Sequence, residues 1–551
     1  TVQGGGMSRC GHRRLKTTQV CAYLVCITVA VIFKSAIRKN EVYKMIQAAD
    51  IFQSGMVIQR RKPFHIWGTA DAGRQIVIET PWNKSTVNVD DSGYWHGELP
   101  AMEAAEKIEI RIYNEKETVS YTDVAVGEVW IAGGQSNMEF HMRYEKHLAQ
   151  EKPICQNSRI RFYDVPEIAY KGQEKDFDYS RMGFWRKATE ADIEYFSGVG
   201  YYFEKELEQK LNVPVGIIGC NWGGTSASSW MTRTSLEQTG KPWIDDFESR
   251  MAGLDPDIYM AEQKKRSMNS RGNPFADVLT EFLLSGTPAP DEIQRFIKQM
   301  DIPEDVSDVL PPQAFPESLY EHMVKIIAPY SIRGILWYQG ESDDVLGCQY
   351  LYENMLKGLI GDWRILWNDQ TLPFLVVQLP GWEGWITTKG SDFPMLRHCQ
   401  ELVANQDDHV HLCSISDAGE QYDIHPKNKK VVGHRLALLA LGHVYEQAVL
   451  CDAPAVENVH RNADLITVSF KHADGGLLVD GTEIEALEVY SEEAAIPFKV
   501  QVSGEKLLIR LLNEELNDIQ ISFAWKQYYH VNLYNQNGIP AIPFQLKVPD
   551  K

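Results

Sequence analysis

Short stretches in which apolar and polar residues alternate fill the chain from about residue 46 to residue 126. Alternation with a period of two is typical of strands that bury one face, and turn residues such as Gly68, Gly73 and Gly93 separate the stretches. The pattern predicts a small N-terminal β domain over residues 46–126, with a β-sandwich-like architecture. Its strands are predicted at Met56–Gln59, Phe64–Trp67, Gln75–Ile78 and Ile108–Ile112.

After Gly127 the pattern changes to nearly continuous apolar stretches that alternate with segments of helical periodicity. Such stretches are typical of parallel strands covered on both faces, so residues 127–450 are predicted to form a three-layer α/β domain. A polar, proline-punctuated region at about 243–317 is predicted to be an inserted helical segment. The predicted strands are Val129–Ala132, Val215–Ile218, Gly334–Tyr338 and Phe374–Val377, and the predicted helices are Val199–Leu211 and Leu351–Leu366.

Alternation returns near the carboxyl end and predicts a second β-sandwich-like module over residues 453–551. Its strands are predicted at Leu465–Val468, Ile484–Val489 and Lys506–Arg510, of which the middle one alternates imperfectly. The fold class is therefore α/β, with a central parallel sheet flanked by two β modules.

The composition is that of a folded globular protein, with 551 residues of which 44% are hydrophobic and 24% are charged. Acidic residues outnumber basic ones by 75 to 55, which gives a formal net charge of -20. The basic residues are scattered, so the chain lacks the positive stripe by which proteins neutralise phosphates, and no nucleic-acid partner is expected. The oligomeric state does not follow from these features.

Residues 1–40 form a leader, in which basic residues precede an apolar run from Val20 to Phe33. The run is short for a membrane span and predicts a secretory signal peptide, so no stable span is expected in the mature protein. The alternatives are an uncleaved membrane anchor and an artefact of conceptual translation. Met7 could then be the true start. An N-glycosylation triplet begins at Asn83. The six cysteines after the leader permit disulfides, with buried free thiols as the alternative.

The strongest chemical signal is the segment Gly133-Gly134-Gln135-Ser136-Asn137-Met138, which directly follows a predicted strand. Two glycines allow a sharp turn, and a serine at the start of the next helix presents its hydroxyl near backbone N–H groups. Ser136 is therefore a candidate nucleophile. The simpler interpretation is that Ser136 only caps the helix.

A second signal is Asp423-Ile424-His425-Pro426. In extended backbone the Asp423 and His425 side chains project to the same side, so the carboxylate could orient the imidazole and stabilise its protonated form. Such a triplet also occurs by chance in loops. Its combination with Ser136 favours a Ser-His-Asp arrangement, in which Asp417 is a rival acid.

Two further segments supply candidate donors for an oxyanion. Asn221-Trp222-Gly223-Gly224-Thr225 follows one predicted strand, and Gln339-Gly340-Glu341-Ser342 follows another. Ligands of open α/β sheets bind beyond the carboxyl ends of the strands, where these segments are expected to meet Ser136. The nucleophile lies outside the G-x-S-x-G turn of the α/β-hydrolases, which disfavours that fold.

Taken in order, these motifs resemble the sialate O-acetylesterases of the SGNH-hydrolase superfamily. The resemblance also includes Gly127-Glu128-Val129-Trp130, Trp337-Tyr338 and features of the first domain, and it extends from about Phe52 into the C-terminal module. It implies Ser136 as nucleophile, His425 as base and Asp423 as its partner. The N–H groups of Ser136 and Gly224 and the Gln339 side chain are the implied oxyanion donors.

The resemblance further implies a lysosomal or secreted carboxylic ester hydrolase that removes acetyl groups from O-acetylated sialic acids without a cofactor. One departure is Asp343-Asp344, where the family commonly has Asn after Glu-Ser, and it adds negative charge near the expected cleft. Arg364, Arg397 and Trp222 are candidate substrate contacts, although each could have a structural role. His409 and His411 could ligate a metal, but the sequence supplies no third ligand, so no metal is expected.

The residues thus predict two-step acyl transfer through an acetyl-enzyme. Two alternatives remain open: an esterase that acts on other acetylated glycans such as xylan, and a catalytically silent carbohydrate-binding protein.

Overall fold

A computed structural model describes residues 45–175, 178–266, 281–286, 288–299, 310–385, 388–512 and 516–549. The predicted leader at 1–40 and parts of the predicted insertion at 243–317 lie outside these residues. In the described part of the chain, no helix is both long and apolar enough to cross a lipid bilayer.

The N-terminal region consists of short, mostly antiparallel strands, as the alternating pattern predicts. Tyr94–Leu99 shows the reason, since its exposed and buried residues alternate strictly along the strand. One sheet has the order β1-β3-β6, while β4, β5 and β7 join a larger sheet through β8. The strands are β1 (Gln47–Ala48), β2 (Val57–Gln59), β3 (Phe64–Thr69), β4 (Gln75–Glu79), β5 (Lys84–Asn88), β6 (Tyr94–Leu99) and β7 (Ala105–Tyr113).

The next strand, β8 (Thr118–Gly134), connects the N-terminal region to the central sheet. Its first half alternates between exposed and partly buried residues, whereas every residue from Val124 onward is buried. The predicted domain boundary between residues 126 and 127 therefore falls inside a continuous strand. One hydrophobic core extends from Ile46 through the central region, so the two regions share their core as well.

The central strands have the order β10-β9-β11-β8-β12-β13-β16. All neighbours in this series pair in parallel except β10, which is antiparallel to β9, and the sheet as a whole is mixed. Because β8 comes first in the chain but lies in the middle, the strand order reverses at its carboxyl end. The strands are β9 (Asn157–Asp164), β10 (Trp185–Ala188), β11 (Val215–Asn221), β12 (Gly334–Tyr338), β13 (Phe374–Val377), the short pair β14 (Gly384–Trp385) and β15 (Thr388–Lys389), and β16 (Val410–Cys413).

Helices follow the central strands and pack in two groups. In one group α3 packs against α11, where a Cβ added to Gly433 would lie 2.6 Å from the Tyr202 Cβ. In the other, α9 packs against α4 and α10. The helices are α1 (Ser136–Glu139), α2 (Leu148–Glu151), α3 (Gly198–Leu211), α4 (Arg233–Thr239), α5 (Lys241–Met251), α6 (Pro256–Arg266), α7 (Pro290–Gln299), α8 (Lys325–Ile327), α9 (Tyr352–Leu366), α10 (Phe393–Gln406) and α11 (Lys429–Leu439).

The C-terminal module has antiparallel strands and a hydrophobic core of its own. The predicted strand at Ile484–Val489 is wrong in its first half, because Ala486 has φ +57° and the strand begins only at Leu487. The described cysteines are free thiols, and all of them are buried except Cys348, which is partly buried. The strands are β17 (Ala455–Asn462), β18 (Leu465–Lys471), β19 (Leu478–Val479), β20 (Leu487–Ser491), β21 (Ala494–Ala495), β22 (Phe498–Ser503), β23 (Lys506–Leu511), β24 (Ile519–Phe523), β25 (Leu533–Tyr534) and β26 (Phe544–Lys547).

Gly134 ends β8 in a conformation that requires glycine. Its φ is +133°, and an added Cβ would lie 2.1 Å from the carbonyl oxygen of Tyr338 on the neighbouring strand. We therefore expect Gly134→Ala to lower the free energy of unfolding by about 3 kcal/mol, as measured by urea denaturation. The control is Gly361→Ala in α9, which has open space around the added methyl group and should stabilise the helix by about 0.5–1 kcal/mol. Equal stability of the two variants would contradict this account of the turn.

Candidate functional site

The site lies where four chain segments leave the central sheet. β8, β11 and β12 end side by side at Gly134, Asn221 and Tyr338, and these residues are register partners across the sheet. The loop after β16 brings His425 to the same edge. This edge lies at the carboxyl ends of the parallel strands and at the reversal of strand order, which is where open α/β sheets bind ligands.

Ser136 and His425, which lie 289 positions apart in the sequence, are in direct contact. The Oγ atom of Ser136 lies 2.9 Å from Nε2 of His425. Ser136 is partly exposed at the start of α1, whereas only 5% of His425 is exposed. The contact has the length of a hydrogen bond, so the imidazole can accept the hydroxyl proton while the oxygen remains open to a ligand.

Two aromatic rings hold His425 in place. Phe140 stacks on the imidazole with 6.3 Å between ring centroids, and Trp385 contacts it edge-on at 4.8 Å. Burial lowers the pKa of His425 well below 6.5, and the cations Lys429 and Lys427 lower it further. The imidazole is therefore neutral at neutral pH, as a general base must be.

Asp423 does not have the arrangement that the sequence predicted. The backbone bends at this point instead of running extended, and Asp423 Oδ1 accepts a hydrogen bond of 2.8 Å from the backbone N–H of His425. The same oxygen lies 3.8 Å from Nδ1 of the imidazole, beyond hydrogen-bond distance. Its other oxygen lies 2.9 Å from the Lys427 ammonium. Asp423 thus fixes the loop, and its carboxylate lies close to the imidazole without a hydrogen bond to it.

Asn137 joins the segments of the site, a role that the sequence analysis did not assign. Its side-chain amide donates to Glu341 Oε1 at 2.6 Å and to the carbonyl of Ile424 at 2.8 Å, while its Oδ1 accepts from Lys429 Nζ at 2.5 Å. Asn137 is only 1% exposed. Because it follows Ser136 directly, these bonds fix the nucleophile turn against the histidine loop.

Glu341 and Lys429 form a buried pair of opposite charge around Asn137. Burial raises the pKa of Glu341, and burial lowers the pKa of Lys429 to about 7, although each residue's charge opposes the shift of the other. The Lys429 ammonium also lies 4.6 Å from the Phe140 ring centroid. The adjacency of Asn137 to Ser136 was the available sequence signal for this network.

The two glycines after β11 lie beside the nucleophile. A Cβ added to Gly223 would lie 3.1 Å from the Ser136 Cβ, which shows how closely this loop approaches. The N–H of Gly223 donates to Glu139 Oε2 at 2.7 Å. Gly224 is exposed, has φ +73° and has open space where a side chain would be.

The expectation that Gln339 presents a free amide to the cleft is wrong. Its Nε2 donates to Asp343 Oδ2, to the carbonyl of Thr225 and to Gln135 Oε1, and its Oε1 accepts from the Tyr352 hydroxyl. No part of Gln339 is exposed. The Gln339 amide therefore connects the loops that follow β8, β11 and β12.

Arg364 and Arg397 are structural and do not face the cleft. Arg364 forms a two-point ion pair with Asp407 and donates to the carbonyl of Leu372. Arg397, which is 1% exposed, donates to the carbonyl of Pro380 at 3.4 Å and packs on the ring of Tyr529. The Arg364 guanidinium is thus paired with Asp407, and that of Arg397 is buried against Pro380 and Tyr529.

Trp222 and Asp417 also have partners elsewhere. Trp222 directly follows β11. Its backbone N–H donates to the carbonyl of Gly134 at 3.1 Å, and its ring packs in the hydrophobic core. Asp417 forms a two-point ion pair with Arg435, at 2.6 and 2.8 Å, so it does not act as the acid beside His425.

Asp343 and Asp344 do not add free charge to the cleft. Asp343 is fully buried, bonds to Gln339 and to the backbone N–H of Ala227, and has its pKa raised by burial to about 7. Asp344 accepts hydrogen bonds from the backbone N–H groups of Ser391 and Asp392. Both carboxyl groups hold loops around the site.

Comparisons with known proteins show similarity to carbohydrate acetylesterases. The family described as "Carbohydrate esterase, sialic acid-specific acetylesterase" matches residues 301–441. The chain is 23% identical to the sialate O-acetylesterase of Rattus norvegicus over 531 residues, covering 88% of this chain and 91% of the relative. It is 24% identical to that of Homo sapiens over 549 residues, covering 91% and 93%.

The crystal structure of a carbohydrate acetylesterase from Xanthomonas citri has a similar fold. The TM-score is 0.71 at 24% identity, and the likeness covers 91% of this chain and 99% of that one. These comparisons confirm the resemblance that the motifs predict, and they place the chain among relatives of carboxylic ester hydrolases.

Proposed function

We propose that this relative of the sialate O-acetylesterases is a serine esterase that hydrolyses the O-acetyl esters of sialic acids. The observation that carries the proposal is the 2.9 Å contact between Ser136 and His425 at the carboxyl edge of the sheet. A partly exposed serine hydroxyl against a buried neutral imidazole is the pair that acyl transfer needs. The similarity to enzymes of that name over about nine-tenths of the chain supports the choice of substrate.

In the first step His425 Nε2 accepts the Ser136 proton while Oγ attacks the acetyl carbonyl. The resulting imidazolium then gives that proton to the sugar oxygen as the ester bond breaks, which leaves an acetyl-enzyme. In the second step His425 takes a proton from water, the hydroxide attacks the acetyl group, and acetate leaves as Ser136 regains its proton. No cofactor takes part in either step.

The negative charge that develops on the acetyl oxygen needs hydrogen-bond donors. We assign this role to the backbone N–H groups of Ser136 and Gly224, because the glycine loop approaches Ser136 closely and Gly224 is exposed. The Asp423 carboxylate, 3.8 Å from Nδ1, stabilises the imidazolium by charge. Phe140 and Trp385 keep the ring in its orientation while it changes protonation state.

The low pKa of His425 predicts activity under mildly acidic conditions. A base must be unprotonated in the free enzyme, and a lowered pKa keeps the imidazole unprotonated at pH values where an ordinary histidine is half charged. We expect the acid limb of kcat/KM to have its midpoint below pH 6.5. Measurement of acetate release across that range checks the expectation, and a midpoint at or above 6.5 would contradict it.

Acetate release from two substrates tests the choice of sugar. We expect the purified protein to release acetate from O-acetylated sialic acid with a kcat/KM about 100-fold or more above that for acetylated xylan, since a pocket that bonds substrate groups rejects analogues that lack them. Faster reaction with xylan would favour the esterase of other glycans. Reaction with neither substrate would favour the silent carbohydrate-binding protein.

We propose an SGNH-like, three-layer central domain with β-sandwich-like flanking modules, supported by the parallel strands and the two helix groups. We also propose a secreted or lysosomal location, supported by the basic and apolar pattern of residues 1–40 and by the glycosylation triplet at Asn83.

A further inference from the structure

A second cluster of reactive side chains lies where the central region meets the C-terminal module. His443 lies just beyond α11, and Cys451 and Asp452 lie in the connection to β17. The His443 Nε2 atom lies 2.9 Å from Asp452 Oδ1, and the Cys451 Sγ atom lies 3.6 Å from Asp452 Oδ2. One ligand atom from each of these three residues lies within 4.8 Å of the other two.

A fourth donor is next to this group. His472, in the loop after β18, has its Nδ1 3.8 Å from Asp452 Oδ2. Its backbone has φ +59°, a conformation that non-glycine residues rarely adopt. The cluster therefore combines two imidazoles, a thiol and a carboxylate from three separate segments of the chain.

The spacing fits a small tetrahedral ion. Zinc bonds of about 2.0–2.3 Å place tetrahedral ligand atoms roughly 3.3–3.7 Å apart. The Asp452 carboxylate lies 2.9, 3.6 and 3.8 Å from the donor atoms of His443, Cys451 and His472, and the donor atoms of His443, Cys451 and Asp452 all lie within 4.8 Å of one another. Nitrogen, sulfur and oxygen donors together suit zinc better than magnesium or calcium, which prefer oxygen alone.

We propose that His443, Cys451, Asp452 and His472 bind one divalent transition-metal ion of the zinc class. The site joins the end of the central region to the C-terminal module, and its role is structural. The proposal does not depend on the esterase function.

Neighbouring side chains hold parts of the cluster in place. His411 stacks on His443 with 3.8 Å between ring centroids and 8° between planes. Asn535 holds both sides by donating to the carbonyls of Asp452 and His472, at 3.0 and 3.3 Å. The stacked ring therefore orients the His443 imidazole, and Asn535 fixes the backbone at Asp452 and His472.

Binding would convert the Cys451 thiol to a thiolate and release its proton to solvent. Zinc affinity should therefore rise with pH. His411, which the sequence analysis considered as a ligand without a third partner, supports His443 by stacking.

Calorimetric titration of the purified full chain with Zn²⁺ tests the proposal. We expect one ion per chain, proton release, a higher melting temperature, and with Co²⁺ a thiolate charge-transfer band. Cys451→Ser should remove the band, and His443→Gln should weaken Zn²⁺ binding by about 10–100-fold or more. The matched controls are Cys348→Ser and His434→Ala, whose residues lie outside the cluster and which should bind as the parent does.

Circular dichroism checks that each variant folds as the parent does, and acetate release checks separately that ester hydrolysis is unchanged. The four variants should retain the parent's spectrum and its rate of ester hydrolysis, since none of the changed residues contacts Ser136 or His425 among the described interactions. The proposal would be overturned if the parent protein did not bind Zn²⁺. It would also be overturned if Cys451→Ser and His443→Gln both bound Zn²⁺ as the parent does.

Discussion

Replacing Ser136 with alanine should lower kcat for acetate release from O-acetylated sialic acid by about 10⁶-fold. The reason is that Oγ forms the bond to the acetyl carbon, and no other hydroxyl is placed 2.9 Å from the His425 base in the described contacts. The substrate KM should change little, because the substitution removes only the Oγ atom and leaves the surrounding loops in place. Steady-state kinetics with an acetate-coupled assay measures both constants.

The matched control is Ser92→Ala, which removes a hydroxyl from a turn of the N-terminal region. Ser92 Oγ bonds only locally, to Asp90 Oδ1 at 2.7 Å, so this variant should keep the parent's kcat. Ser136→Ala with more than a few per cent of the parent's kcat would show that the hydrolysis does not pass through this serine.

Replacing His425 with glutamine should have nearly the same effect, a loss of about 10⁶-fold in kcat. The two residues act as a unit, because Ser136 is a weak nucleophile without the base. The double variant Ser136→Ala, His425→Gln should therefore be no slower than either single variant, which distinguishes a catalytic pair from two independent structural effects.

Asp423→Asn provides a graded comparison within the same loop. Because the carboxylate lies 3.8 Å from Nδ1 and bonds to the backbone instead, we expect a loss smaller than the roughly 10⁴-fold seen where an aspartate bonds directly to the imidazole. A loss as large as that of His425→Gln would mean that the carboxylate contacts the imidazole during turnover.

A His425→Gln variant close to parent activity would contradict the assignment of the base.

Much of the fold follows from periodicity alone. Gly334–Tyr338 and Phe374–Val377 are strands with the predicted bounds, since both are short, apolar and fully buried. What periodicity does not show is continuity between regions: β8 is one strand of 17 residues, and the change from alternating to continuous burial within it was interpreted as a domain boundary. Backbone angles are also invisible in the pattern, as the left-handed Ala486 shows.

For the site, the sequence placed the segments correctly at one edge but did not determine where each side chain points. Gln339 was predicted to face the cleft because it follows a strand, yet its amide bonds inward to three acceptors. Arg364 is a candidate for a substrate contact or for a structural ion pair, and the structure shows the ion pair, with Asp407, 43 positions away. Partner choice across such separations is decided by tertiary packing.

The residues that the sequence analysis missed share this cause. Asn137 bonds to Glu341 and Lys429, which are more than 200 positions away along the chain. Trp385 contacts the His425 ring from the short pair β14 and β15, which no pattern predicted. A neighbour of a candidate nucleophile is therefore worth considering for its own hydrogen bonds.

Covalent labelling tests the central claim most directly. A serine-reactive phosphonate is incubated with the parent protein, and the modified peptide is identified by mass spectrometry. We predict one phosphonate per chain, attached to Ser136, with acetate release lost in proportion and with no labelling in His425→Gln. A fully active enzyme that resists the reagent, or a label on another residue that accounts for the loss of activity, would contradict the account.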